Sequence, residues 1–84
     1  MKCKIFKTKK RDEMYLYVRD NVEYKDLPDN LLTLFGEPEH VMDLELSKDK
    51  PLAREDVLQV MANLQEQGFF LQLPPSIVNN PQNS

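Results

Sequence analysis

The side chains best suited to chemistry in this 84-residue chain are one cysteine, one histidine and scattered carboxylates. A cysteine nucleophile needs a base within hydrogen-bond reach. Cys3 sits in the alternating run KCKIFK, and His40 opens a different segment, so no local pair forms. A lone cysteine at a strand position reads as a small buried hydrophobe, and His40 as a surface residue at a strand entrance. The run EPEHVMD gathers Glu37, Glu39, His40 and Asp43. Extended geometry sends His40 and Asp43 to opposite faces, and zinc wants about four converging nitrogen or sulfur ligands. Asp43 and Glu45 share a face, but no apolar pocket is visible that would separate their proton affinities, so they read as solvated charge. Gly36 and Gly68 are the only glycines and both suit helix stops, which leaves no glycine-rich phosphate loop. The expectation is no catalytic residue, no cofactor and no metal.

Recognition is the other chemistry on offer. Residues 1–11 hold six basic groups (Lys2, Lys4, Lys7, Lys9, Lys10 and Arg11) and no acid. The remainder holds five basic and fourteen acidic groups, a net of −9 within an overall −3. Such asymmetry marks either a surface for an anionic partner or a strand kept soluble. Strand parity puts Phe6, Tyr15, Tyr17 and Phe70 on one face, with Lys2, Lys4, Arg19 and Gln72 among them. Rings beside cations can hold single-stranded RNA, the bases stacking while Lys and Arg meet phosphate. The competing reading is packing, in which a helix bearing Leu31, Leu32, Leu34 and Phe35 covers that face and each tyrosine hydroxyl sits at the margin. The turn KTKKRD is likewise either a phosphate cradle or a solvated connector whose lysines discourage edge pairing.

The elements that must position these groups follow from periodicity. KCKIFK and MYLYVR read as two strands joined by a short polar connector, an antiparallel hairpin. DLPDNLLTLFGEP reads as a short helix, with Pro28 and Asp29 in its first turn and Gly36 as a left-handed cap. HVMDLEL is a third strand with Met42, Leu44 and Leu46 inward and Asp43 and Glu45 outward. REDVLQVMANLQEQG is a second helix with a stripe of Val57, Leu58, Val60, Met61 and Leu64. Glu55 and Asp56 favour its first turn, Arg54 offers no capping acceptor, and Gly68 stops it. FFLQL is the last strand, with Phe69, Leu71 and Leu73 facing one way and Phe70 and Gln72 the other. Being apolar on both sides, it is expected in the interior of the sheet. Pro74 and Pro75 end its pairing. The predicted fold class is α/β of the α+β type, a mixed four-stranded sheet with two helices in the order β-β-α-β-α-β.

Length and composition bound the rest. With 40% hydrophobic and 30% charged residues, the chain reads as one soluble domain over 1–75, with a loose tail at 76–84. No apolar run approaches the roughly 20 residues that span a bilayer, and the basic start lacks the apolar segment of a signal peptide. A single cysteine makes no internal disulfide, and a cytoplasmic monomer is expected.

KRDEMYLYV at 10–18, the helix end LFGEP at 34–38 and, above all, LQEQGFFLQLPP at 64–75 resemble the YcgL family of small, chiefly gammaproteobacterial proteins. The similarity runs from about Cys3 to Pro75. It implies a compact domain with helices packed on a small sheet as an α/β/α sandwich, and it implies no activity. The functional expectation is therefore a non-enzymatic interaction or accessory domain with a protein partner. Its candidate surface comprises the basic hairpin end (Lys7, Lys9, Lys10, Arg11), the ring face (Tyr15, Tyr17, Phe70, Gln72) and the stiff exit at Pro74 and Pro75. The alternative is single-stranded RNA binding through the hairpin and the rings.

Overall fold

A computed structural model describes residues 1–53 and 55–74. Pro75 and the expected tail at 76–84 lie outside the described residues. The elements run β1 (Lys2–Thr8), β2 (Tyr15–Arg19), a 3₁₀ turn (Tyr24–Asp26), α1 (Asp29–Phe35), β3 (Pro38–Glu45), α2 (Val57–Gln67) and β4 (Phe69–Gln72). The order and number of strands and helices are as expected. The sheet runs β3-β1-β2-β4, and all three pairings are antiparallel where a mixed sheet was anticipated.

Each face of the sheet carries its own apolar cluster under its own helix. Cys3, Ile5, Tyr17 and Leu46 pack with Val57, Val60 and Leu64 of α2. On the opposite face, Met14, Leu16, Val18 and Leu27 pack with Leu31 and Phe35 of α1. The result is the α/β/α layering that a sheet apolar on both faces requires.

β4 is a rim strand, which corrects its expected interior position. Among the described residues it pairs with β2 alone. Its two apolar faces are explained by the layers above and below it, since Phe69 and Leu71 join the α1-side cluster and Phe70 the α2-side cluster. Burial of a strand's faces depends on the helices covering them, and not on its place in the strand order. The strand buried on both faces throughout its centre is β2, where Leu16, Tyr17 and Val18 are all buried in succession.

Local chemistry explains the helix limits. Asp56 is the N-cap of α2, its carboxylate accepting from the Leu58 amide at 3.0 Å, so the helix begins at Val57; Arg54 lies outside the described residues. Leu58 projects away from the core at 59% exposure, while Val57, Val60 and Leu64 form the buried stripe. Gly68 takes φ 88°, the left-handed cap that turns α2 directly into β4. Gly36 also has positive φ, 78°, but its ψ of −147° makes it an extended exit rather than a left-handed helical cap.

Replacing Leu64 with Ala should cost about 2–5 kcal/mol, because it is fully buried in the α2-side cluster and its removal leaves a cavity there. Asp56→Ala should cost about 1 kcal/mol. Urea unfolding at neutral pH measures both.

Candidate functional site

Register decides which rings share a face. Ile5 lies opposite Tyr17, Phe6 opposite Leu16 and Lys7 opposite Tyr15, and Tyr17 lies opposite Phe70 and Tyr15 opposite Gln72. Tyr15, Tyr17, Phe70 and Gln72 therefore share the α2 side. Phe6 lies on the α1 side, against Tyr24 at 5.8 Å and His40 at 5.7 Å between ring centroids. This corrects the predicted ring face, from which Phe6, Lys2 and Lys4 are removed. The covering helix is also different: α1 packs over Phe6, and α2 covers the tyrosine side. Tyr17 is 7% exposed, its ring edge-on to Phe70 at 5.9 Å and its hydroxyl donating to Gln72 Oε1 at 3.0 Å. A ring held in this way offers no face for a base. Tyr15 is half-buried and Gln72 is buried.

The hairpin end divides into structural and solvent-facing cations. The Lys10 ammonium donates to the Thr33 carbonyl at 2.9 Å, and its methylenes lie where a side chain at Gly36 would have to go. Thr8 Oγ1 donates to the Phe35 carbonyl while accepting from the Lys10 amide. Tyr24 Oη donates to the Gly36 carbonyl. The carbonyls left over at the end of α1 thus find donors on the connector and the 3₁₀ turn. Lys10 belongs to this cap. Lys7 stands 3.9 Å from Glu39, and Lys9 and Arg11 are exposed. A hollow of about 560 Å³ lies beside them, but Asp12, Glu13 and Glu39 line it together with Lys7 and Lys9. Mixed charge of this kind makes a poor phosphate cradle. Pro74 is buried, so it presents no stiff exposed exit.

Cys3 is fully buried beneath α2, and burial pushes its thiol up to about 11. His40 lies on the other side of the sheet, where its Nε2 meets Asp43 Oδ1 at 2.9 Å. That contact corrects the expectation that His40 and Asp43 face apart. A bulge at Val41 inserts one residue between the Ile5–Met42 and Phe6–His40 pairs, so His40 and Asp43 fall on the same face. Among the described residues, no three or more potential ligands converge on a metal position.

The same bulge creates a surface that alternation alone does not reveal. Val41 and Met42, consecutive in sequence, both line a shallow groove on the α2 side with Ile5, Tyr15, Tyr17, Leu44 and Gln72. The groove holds about 220 Å³ and is mainly apolar. Val41 and Met42 are 44% and 46% exposed. The adjacent apolar pair in HVMDLEL, which breaks a strict two-residue period, is the sequence signal for it.

Lys10→Ala should lower stability by about 1 kcal/mol through loss of the cap, whereas Lys9→Ala and Arg11→Ala should stay within about 0.5 kcal/mol; urea unfolding separates them. Cys3 also predicts a pH dependence. Its thiol ionises near its ordinary 9.0 when unfolded and near 11 when native. Between those values the unfolded chain holds fewer protons, so the stability gained from a neutral buried thiol is complete below pH 9. About 2–3 kcal/mol of it is lost as pH rises through 11. The stability difference between the natural chain and Cys3→Ala should therefore narrow over that range in denaturation series.

Residues 3–75 match the YcgL domain family. Among similar proteins, a YcgL domain-containing protein of Pseudomonas fluorescens is 47% identical over 74 residues, covering 88% of this chain and 76% of its own length. One from Hahella chejuensis is 52% identical over 71 residues, 84% of this chain and 67% of that protein. One from Chromohalobacter salexigens is 51% identical over 74 residues, 88% of this chain and 77% of its length. With its sheet layered between two helices and its match extending from Cys3 to the double proline, the chain belongs to the YcgL domain family.

Proposed function

We propose that this chain is a non-enzymatic interaction domain acting in the cytoplasm, and that it meets a protein partner through the groove beside β3. The observation that carries this reading is the adjacent exposure of Val41 and Met42 over a floor of Ile5, Tyr15 and Leu44. Single exposed apolar residues are ordinary, whereas a contiguous set rimmed by polar groups marks a contact surface. Lys7 and Glu39, opposed across β1 and β3 on that side, supply such a rim. The high proton affinity of Cys3 and the attachment of His40 to Asp43 support a role without nucleophilic chemistry. No helix among the described residues is long and apolar enough to cross a membrane.

The hairpin-end and double-proline surfaces are less well suited, since Lys10 caps α1 and Pro74 is buried. RNA stacking on the rings lacks support because Phe6 lies on the opposite face from Tyr17, and Tyr17 is covered.

A photo-cross-linking residue placed at Val41 in living cells should form a discrete protein adduct that Met42→Asp abolishes. The same residue at Leu58, equally apolar and exposed on α2, should form none. Absence of a protein adduct from position 41, or an RNA adduct from positions 9 and 11 in its place, overturns the proposal.

A further inference from the structure

We infer that the outer edge of β3 accepts an extended strand from another protein, one with lysine or arginine at alternate positions and an apolar side chain for the groove. This deepens the interaction reading above and rests on it.

β3 is the terminal strand of the sheet, and among the described residues no strand pairs with its outer side. Its Met42–Glu45 stretch follows the bulge in regular register with β1, so its outward amides and carbonyls form a short template for strand addition. The bulge directs Val41 and Met42 together over the apolar groove, which gives the added strand a place to anchor.

The inner neighbour of β3 shows which charges this strand accepts. β1 sets Lys2 opposite Glu45, Lys4 opposite Asp43 and Lys7 opposite Glu39, with Lys7 Nζ 3.9 Å from the Glu39 carboxylate. Side chains of a strand stand perpendicular to the sheet, so a carboxylate on β3 can meet a neighbour on either side. Glu45 already accepts from the N-terminal ammonium at 2.8 Å and Asp43 meets His40, and an added basic strand would share these carboxylates. Asp43 and Glu45 are exposed. A basic strand on the outer edge would repeat the complementarity of β1. A second copy of this chain fits less well: antiparallel self-pairing centred on Asp43, Leu44 or Glu45 sets acid against acid, which destabilises directly opposed positions.

The test uses the full isotope-labelled chain and an end-capped octapeptide of alternating lysine and valine. Amide resonances of Met42–Glu45 should shift and gain hydrogen-exchange protection. The Glu/Val counterpart should not bind, nor should the Lys/Val peptide N-methylated along its pairing edge. Asp43→Lys with Glu45→Lys should weaken binding about tenfold, and the Glu/Val peptide tests the same charge requirement on the natural chain without any risk to its fold. Equal binding of the acidic peptide, or shifts confined to residues 9–13, overturns the inference. So does binding that needs residues 75–84 removed, or a self-associated chain that the peptide fails to dissociate. If position 41 still cross-links a protein while the peptide fails, strand addition falls and the interaction reading stands.

Discussion

β2 has no face left for water. Leu16 and Val18 pack toward α1 and Tyr17 toward α2, all three buried, so the domain must place a layer on each side of its sheet. Among the described residues, the two short helices do so. α1 supplies Leu31 and Phe35 to one side, and α2 supplies Val57, Val60 and Leu64 to the other. Each layer is one helix deep, and the areas the helices fail to cover become the available surfaces.

α1 is seven residues long, too short to be stable by itself. Its hold on the sheet is secured at its C-terminal end, where Thr8, Lys10 and Tyr24 satisfy the Phe35, Thr33 and Gly36 carbonyls. These donors come from the hairpin connector and the 3₁₀ turn, so helix and hairpin are locked together by polar contacts as well as by packing. A cation that looks available for a partner is thereby committed to the fold. The basic character of the N-terminal segment is explained further by β1 lying against the acidic β3, lysine opposite carboxylate at three positions.

α2 leaves part of its face open over β3. The bulge at Val41 bends the strand at its rim and turns two successive apolar side chains to one side. Bulges also make an edge less regular and so less prone to indiscriminate pairing. The β3 rim is thus charged, bulged and locally apolar. This combination is what separates the β3 side from the β4 side, where the strand is four residues long and Pro74 follows closely.

Much of the fold was legible in the chain because the signals are local. Alternation in KCKIFK and MYLYVR, the apolar stripe of the second helix and the glycine between it and FFLQ concern neighbours a few residues apart, and the steric limits on a short stretch of backbone act at that range. The family resemblance drew on the same residues. Parity within a strand was equally legible, as Tyr15 with Tyr17 in β2 and Phe70 with Gln72 in β4 demonstrate. Parity between strands was not, because it depends on hairpin register, and the Ile5–Tyr17 pairing removed Phe6 from the ring face. Strand order was also beyond sequence reasoning, and the adjacent Val41 and Met42 marked the bulge only as a break in the two-residue period. Both depend on pairing between residues distant in the chain. Pairing at that range put FFLQ at the rim, brought His40 beside Asp43 through the bulge and turned Val41 and Met42 together toward the groove, so these placements belong to the tertiary structure alone.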